Sequence, residues 1–353
     1  MSGLDQFSLG RPAPYVSPST PERPPRAVAS PASPRPDRWL RRLRMLPWAI
    51  SNLVRHPLPR ILLQYDGGIG DSLLCSVVSR ELRRRGARGI WVATRSPDLF
   101  SGSPDVDRVV LPAARVHSYA RALGCRLVDP RYNHYDPVSD RHVYKPGHQI
   151  TAMCVAAGIT GEVVLRPHLH LRPEERARGR LAPRQVVLQS SGASARFPIL
   201  NKEWYPERFA QVAEALRGRF ELLQLGSPGD PLLPGVRDLR GKTTLRETAA
   251  ILSQSLLFVG LEGLLMHLAR AVECRAVVVY GGYTHPTHTG YSAYENLFSA
   301  VPCAPCWLRS TCGHDHACMR QISAEDVLGG VERQLALVGA PLPEDRVMIP
   351  AQA

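Results

Sequence analysis

The sequence has no long hydrophobic run, and this absence excludes one class of protein. Its longest apolar stretches, such as Ser255–Val259 and Ala276–Tyr280, are far shorter than the roughly 20 residues that a membrane-spanning helix requires. No apolar stretch precedes Trp39, so the start of the chain lacks the pattern of a signal peptide. We therefore expect a cytoplasmic protein.

Lysine is also scarce, because only Lys145, Lys202 and Lys242 occur and arginine carries nearly all of the positive charge. The net charge is +13: the first sixty residues carry +7 and the rest of the chain carries +6. Such a charge favours anionic partners: nucleotides, phospholipid surfaces or nucleic acid. No basic stripe with interleaved aromatic residues follows the first sixty residues, so we expect no nucleic-acid partner.

Residues 1–57 have the composition of a segment outside the folded core. Residues 1–37 contain nine prolines and few aliphatic residues, so they are predicted to be disordered. Residues 37–57 alternate tryptophan and leucine with arginine, which predicts one or two short basic amphipathic helices. Such a segment either packs on the folded body or makes peripheral contact with the inner face of the membrane.

From Arg60 onward, short apolar runs alternate with segments of helical periodicity, which predicts an α/β fold with mainly parallel sheets. The length indicates about two domains. We predict an N-terminal domain over 58–170, a hinge over 171–183, a second domain over 184–340 and a C-terminal tail over 341–353. The predicted strands are Ile61–Tyr65, Gly89–Thr94, Arg108–Leu111, Gln185–Gln189, Glu221–Gly226, Leu256–Gly260 and Arg275–Gly281. The predicted helices are Ser72–Arg85, Gln149–Ala157, Pro206–Arg217, Thr244–Ser253 and Leu264–Val272.

The loop after the first predicted strand reads Asp-Gly-Gly-Ile-Gly-Asp, over residues 66–71. It is neither the dinucleotide motif G-x-G-x-x-G nor a P-loop. Its glycines, Gly68 and Gly70 among them, let the backbone approach a ligand closely. Asp71 stands at the start of the next helix. It either caps that helix or faces the cleft as a general base.

Two loops of the second predicted domain have features of a phosphate site. A helix that begins near Gly263 offers free N–H groups and a positive dipole end to a diphosphate. Glu262 would repel phosphate, so we expect it to accept hydrogen bonds from sugar or ribose hydroxyls. His267 is either a satisfied core histidine or a ligand contact. The small-residue loop Ser191–Ser194, followed by Lys202, also suits phosphate, although Lys202 has the alternative of a solvated surface position.

Four of the eight cysteines lie within sixteen residues. Without a signal peptide, such clustering favours a metal site over a disulfide framework. Four thiolates at these separations can close a tetrahedral structural site around zinc or iron, and His314 or His316 could replace one of them. Unliganded thiols or a redox disulfide are the alternatives. The predicted metal ligands are Cys303, Cys306, Cys312 and Cys318.

In their order and spacing, these segments resemble glycosyltransferase family 9, the ADP-heptose:lipopolysaccharide heptosyltransferases and their relatives. The resemblance covers about residues 60–335. Four segments carry it: Gly-Gly-Ile-Gly-Asp at 67–71, the loop and lysine at 191–204, Gly260–His267, and the cysteine segment at 302–323. The cysteine cluster resembles that of some relatives, including protein heptosyltransferases with a metal-binding finger.

The resemblance implies a GT-B fold, in which two Rossmann-like domains face a cleft and the second domain holds the nucleotide sugar. It implies inverting transfer, without a catalytic metal, from a nucleotide-diphosphate donor such as ADP-heptose to a glycan, lipid-linked (lipopolysaccharide) or protein acceptor. It also implies that Asp71 is the base and Lys202 a phosphate ligand. Where many heptosyltransferases have Asp-Ser/Thr-Gly, this chain has Glu262-Gly-Leu. A UDP- or GDP-sugar donor and a non-enzymatic nucleic-acid-binding protein are the alternatives.

Overall fold

The computed structural model of the protein describes residues 57–65 and 67–351. The predicted disordered tail and nearly all of the predicted amphipathic segment, residues 1–56, lie outside the described residues. Within the described ranges, no helix is both long enough and apolar enough to cross a membrane.

A four-stranded parallel sheet forms the N-terminal half of the described chain, in the order β3-β2-β1-β4. Helix α1 packs its buried leucines and valines against this half, and the apolar strands β1 and β2 lie inside it. The strands are β1 (Ile61–Gln64), β2 (Ile90–Ala93), β3 (Arg108–Val110) and β4 (Arg126–Val128). The helices are α1 (Ile69–Arg84), α2 (Ala114–Ala122) and α3 (Gln149–Ala156).

An antiparallel hairpin, β5 (Asn133–Asp136) and β6 (Arg141–Tyr144), extends from this half. It is followed by β7 (Gly161–Val164) and by the short helix α4 (Pro173–Arg178), which lies in the segment predicted as a hinge. In α4, Glu175 accepts two hydrogen bonds of 2.7 Å from the guanidinium of Arg246.

A six-stranded parallel sheet forms the C-terminal half, in the order β10-β9-β8-β11-β12-β13. Its central strands are buried on both faces, which is why they read as continuous apolar runs in the sequence. The strands are β8 (Gln185–Leu188), β9 (Glu221–Gln224), β10 (Arg237–Asp238), β11 (Leu257–Leu261), β12 (Ala276–Gly281) and β13 (Glu295–Phe298). The helices are α5 (Pro206–Leu216), α6 (Leu245–Ser253), α7 (Leu264–Ala271), α8 (Pro286–Thr289), α9 (Ala317–Gln321) and α10 (Ala324–Leu335).

The end of the described chain returns to the N-terminal half. Strand β14 (Arg346–Ile349) pairs antiparallel with β7, and the amide of Leu165 donates to the carbonyl of Asp345 at 2.8 Å. The region 341–353, predicted as a tail, therefore contains a paired strand. The exact domain boundaries stay predictions.

The predicted strands and helices are confirmed to within about three residues at each end. The largest difference is the start of α1, which begins at Ile69 rather than Ser72 because Gly68 is its N-cap residue. Asp71 is therefore the third residue of the helix and not its N-cap. The prediction left out the short strands β4, β5, β6, β7, β10 and β13, whose side chains are partly exposed, and β14. It also left out the helices α2, α4, α8 and α9.

Candidate active site

A cavity of about 800 Å³ lies where the carboxyl ends of the two parallel sheets face each other. Its walls are formed by the segments that follow β1, β8, β9 and β11, the position where α/β folds bind ligands. The predicted base and all of the predicted nucleotide-sugar contacts line it: Gly68, Gly70, Asp71, Ser194, Lys202, Glu262, Gly263 and His267.

Asp71 binds the amide of Gly68, the N-cap residue of α1, and also faces the cavity. Its Oδ2 accepts from the amide of Gly68 at 2.7 Å, and its Oδ1 accepts from the hydroxyl of Tyr132 at 2.6 Å. Burial raises the pKa of Asp71, while the hydrogen bonds from Tyr132 and Gly68 oppose that rise. The carboxylate is thus held in orientation at the cavity wall with a raised pKa, and its role as a general base stays a prediction.

The glycine segment at the start of α1 has no room for a side chain at Gly67, whereas a side chain at Gly70 would come into ordinary contact with α7. A Cβ on Gly67 would lie 2.5 Å from Oδ2 of Asp71 and 2.8 Å from Cε1 of Tyr65. A Cβ on Gly70 would stand 3.6 Å from both Cδ2 of His267 and Cα of Leu264, at the start of α7. Gly67, which the sequence prediction did not single out, is therefore the glycine that Asp71 most directly requires.

Lys202 and Glu262 form an ion pair inside the cavity, with side chains 17% and 4% exposed. The ammonium also lies 4.8 Å from the centre of the Tyr283 ring, within range of a cation–π contact. Burial disfavours the charged lysine, but Glu262 and the nearby oxygens of Tyr144 and Asp71 outweigh it, so the pKa of Lys202 is raised. Lys202 is therefore a charged lysine of the cleft and not a solvated surface residue.

Gly263 precedes α7 with φ +154°, a backbone conformation that side chains rarely adopt. Four residues further on, His267 has both ring nitrogens engaged: Nδ1 lies 2.7 Å from the Tyr291 hydroxyl and Nε2 lies 3.1 Å from Nε2 of Gln149. Burial lowers the pKa of His267 to about 3, so the ring is neutral. His267 is thus a satisfied buried histidine at the cavity wall.

A further carboxylate of the cavity, Asp230, was not predicted. It is 3% exposed, and its Oδ2 accepts from the amide of Ser227 at 2.8 Å. Ser194 also hydrogen-bonds the Asp230 side chain, so the loop that follows β8 contacts the loop that follows β9 at this point. The available sequence signal was an acid within a Gly-Ser-Pro-Gly-Asp turn directly after a strand.

Tyrosines of the hairpin β5–β6 and of the segments packed beside it form a wall that the sequence prediction missed. The Tyr65 hydroxyl donates to Oδ1 of Asn133 at 3.1 Å, and the hydroxyls of Tyr144 and Tyr283 lie 2.9 Å apart. The rings of Tyr132 and Tyr144 are 5.9 Å apart. This wall surrounds the cavity face of Asp71 with rings and hydroxyl groups.

The four clustered cysteines share a separate cavity of about 280 Å³ with His314 and His316. We call residues 303–318 the Cys loop. Its cysteines are free and partly buried, and burial raises the pKa of Cys306 and Cys318. Among the described residues, no three His, Cys, Asp or Glu side chains stand together as a ligand set for a metal ion. The thiols are therefore neighbours in one cavity without converging on one point.

The model of glycosyltransferase family 9 (heptosyltransferase) matches residues 160–312, which confirms the family resemblance over that part of the chain. No curated protein matches the chain.

Solved structures of glycosyltransferases have a similar fold. A glycosyltransferase family 9 protein from Veillonella parvula is 15% identical, with 79% of this chain and 97% of that chain covered and a TM-score of 0.57. ADP-heptose lps heptosyltransferase II of E. coli is 15% identical, covering 78% and 98%, with a TM-score of 0.57. The iron-containing dodecameric glycosyltransferase TibC of enterotoxigenic E. coli is 16% identical, covering 79% and 76%, with a TM-score of 0.61. The described fold is therefore GT-B, with two Rossmann-like units facing a cleft.

Proposed function

We propose that the protein is an inverting glycosyltransferase that moves a sugar, a heptose in the first instance, from a nucleotide diphosphate to an acceptor hydroxyl. One observation carries the proposal: Asp71, Lys202 and the start of α7 line a single cavity between the two sheets. A buried carboxylate base on one side and cationic and N–H groups on the other suit displacement of a diphosphate.

The reaction would follow from this arrangement. Asp71 accepts the proton of the acceptor hydroxyl as that oxygen attacks the anomeric carbon of the donor. The bond from this carbon to the diphosphate oxygen breaks on the opposite face, so the configuration inverts. The charge that develops on the diphosphate is stabilised by Lys202 and by the backbone N–H groups at the start of α7. Positioning and charge neutralisation supply the catalysis, without a covalent intermediate.

ADP-heptose is the donor that we propose, with a UDP- or GDP-sugar as the alternative. A TibC structure of similar fold holds ADP-D-beta-D-heptose, and that chain is 15% identical to this one. We assign the donor to the C-terminal domain, through Ser194, Lys202, Glu262 and Gly263, with the ring of His267 forming part of the cavity wall. The acceptor, whether glycan, lipopolysaccharide or protein, is assigned to the N-terminal domain. We propose a cytoplasmic enzyme whose basic N-terminal segment contacts the inner membrane surface.

Product analysis tests this function. The protein is incubated with ADP-heptose, a UDP-sugar or a GDP-sugar and with lipopolysaccharide, glycan or peptide acceptors, and mass spectrometry follows the transferred sugar and the released nucleotide. We expect acceptor-dependent release of ADP by the wild type and not by Asp71→Asn. If no donor is consumed with any acceptor while the protein is folded, the proposal is wrong.

Tyr132→Phe should move the acidic limb of the rate–pH profile to higher pH. The Tyr132 hydroxyl donates to Asp71 and lowers the pKa of that carboxyl, so its loss lets the pKa rise further. A base with a raised pKa becomes protonated at higher pH, and kcat then falls below that pH. The measurement is kcat against pH for both proteins. An unshifted acidic limb would show that Asp71 does not act as the base whose protonation limits turnover.

We further propose that the Cys loop holds a structural zinc or iron ion through Cys303, Cys306, Cys312 and Cys318. The chemistry of the donors suits such an ion, because four free thiols line one small cavity. Binding would require these thiols to converge, which they do not do in the described structure. TibC is described as iron-containing. A bound ion would cross-link a loop that has few apolar residues to bury, and a closed set of four thiolates leaves no coordination position for catalysis.

Elemental analysis of the purified protein should find about one zinc or iron per chain. Cys306→Ser and Cys312→Ser should each abolish binding, because each removes one of four ligands. Cys75→Ser is the matched control, since Cys75 is buried in the core of α1, away from the Cys loop. A metal-free preparation with full activity and an unchanged melting temperature would rule out a structural metal.

A further inference from the structure

The Cys loop is attached to the turn that carries Lys202. This 3-10 turn, Leu200–Lys202, contains Asn201, which is only 4% exposed. The Asn201 side chain makes three hydrogen bonds, and all of them go to the Cys loop: Nδ2 to the carbonyls of Leu308 (2.7 Å) and Thr311 (2.8 Å), and Oδ1 to Nε2 of His316 (3.1 Å). The residue directly before Lys202 is therefore held by the loop.

The Cys loop also supports Lys202 from the other side, through Tyr283. The Tyr283 ring lies 4.8 Å from the lysine ammonium. Its backbone carbonyl accepts from the amide of Trp307, and the carbonyl of Gly282 accepts from the amide of Cys306, both at 3.0 Å. The Cys loop thus holds both Tyr283, whose ring lies next to the ammonium, and Asn201, which directly precedes Lys202.

The position of the Cys loop is itself fixed by the hairpin β5–β6. Oδ2 of Asp140, in the hairpin turn, accepts from the amides of Ser310 and Thr311 at 2.8 Å each. The amide of His142 donates to the carbonyl of Trp307 at 2.9 Å. The loop is consequently held between the hairpin of one half and the lysine turn of the other.

We propose that the Cys loop positions Lys202 through Asn201, which makes Asn201 a positioning residue of the diphosphate site. Lysine is a point charge on a flexible stem, so the place of its ammonium depends on how its backbone and its neighbours are held. A displacement of about 1 Å in a site of this kind can cost up to roughly a hundredfold. The identification of the ligand as a diphosphate rests on the proposed function; the positioning of Lys202 by Asn201 does not.

Nitrogen-15 NMR of the lysine ammonium groups tests the positioning without any ligand. The chain has three lysines, so the spectrum is simple to assign with Lys145→Arg and Lys242→Arg. Asn201→Ala should shift or broaden the Lys202 signal and leave the signals of Lys145 and Lys242 in place. Asn201→Asp, which keeps the side-chain shape but removes both donated hydrogen bonds, should do the same and serves if the alanine variant does not fold.

The affinity for inorganic pyrophosphate measures the effect on ligand binding. This probe contains no base, so the result does not depend on which nucleotide the protein uses. We expect roughly tenfold weaker binding by Asn201→Ala. Gln185→Ala is the matched control. Its buried amide likewise donates to two backbone carbonyls, those of Gly179 and Ile251, but from β8 and outside the cavity lining. It should lower stability without changing the Lys202 signal or the affinity.

The outcomes separate the two proposals. An unchanged Lys202 signal in the Asn201 variants would overturn the positioning role, even if their melting temperatures fall. An unchanged pyrophosphate affinity beside normal wild-type binding would overturn it as well. If wild type binds neither pyrophosphate nor nucleoside diphosphates, the proposed function fails, and the NMR comparison still decides whether Asn201 positions Lys202.

Discussion

Asp71→Asn should lower kcat by roughly 10²–10⁴-fold and leave nucleotide affinity nearly unchanged. The substitution keeps the size of the side chain but removes the basic oxygen that would accept the acceptor proton. Because the proposed role of Asp71 is to accept a proton from the acceptor and not to contact the nucleotide, the affinity for a nucleoside diphosphate should change little. Steady-state kinetics, together with a direct binding titration, separate the two quantities.

Asp71 also accepts from the amide of Gly68, so the substitution has a structural component that needs a control. Asp326→Asn supplies it, because Asp326 is likewise the third residue of a helix, α10, and accepts from the amide of Ser323 at 2.8 Å. Losing such a contact costs about 1 kcal/mol of stability. If Asp71→Asn behaves like this control, with lower stability and full turnover, Asp71 is a capping residue and not the base.

Lys202→Ala should weaken binding of a nucleoside diphosphate by roughly 1.5–3 kcal/mol, about 10- to 150-fold, and should hardly affect the nucleoside. The lost group is a charged donor in a largely buried site. The substitution also leaves the nearly buried Glu262 without its cation, and an unpaired carboxylate would repel phosphate further. Calorimetric titrations with ADP and adenosine, and with the UDP and GDP pairs, measure the difference.

Two further variants apportion this effect. The double variant Lys202→Ala/Glu262→Gln lacks the unpaired carboxylate. Any affinity that it regains over Lys202→Ala alone measures the repulsion between Glu262 and the phosphate. Lys242→Ala is the control, because Lys242 pairs with Asp238 on the surface and does not line the cavity. Equal losses for diphosphate and nucleoside in Lys202→Ala would show that Lys202 does not contact phosphate.

The second sheet could be predicted from sequence because its strands are buried on both faces. Strands such as Leu257–Leu261 and Ala276–Gly281 are continuous apolar runs, and each is followed by a turn. The hairpin Asn133–Tyr144 could not be predicted in the same way, because its side chains are polar and half exposed. One of its partners is the Cys loop, some 170 residues later in the chain.

The residues of the candidate site could be predicted where their role depends on their position in the chain after a strand. Asp71, Lys202 and Glu262 each follow a strand at the carboxyl edge of a sheet, which is where α/β folds gather ligand contacts. Tyr132, Asn201 and Tyr283 were not predictable, because their roles arise from contacts with residues far away in sequence. For example, the hydrogen bonds of the Asn201 amide form only because the fold brings the Cys loop, about 100 residues later in the chain, against it.

The most direct test of the account is a thermal-shift panel of ADP, GDP and UDP with the corresponding nucleosides. A ligand that binds the folded protein at 100 times its Kd stabilises it by about 2.7 kcal/mol. We predict that a nucleoside diphosphate, ADP first, raises the melting temperature of the wild type well above the effect of its nucleoside. If none of the three diphosphates stabilises the protein, or if each nucleoside does so equally, the cleft between the two sheets is not a nucleotide-sugar site.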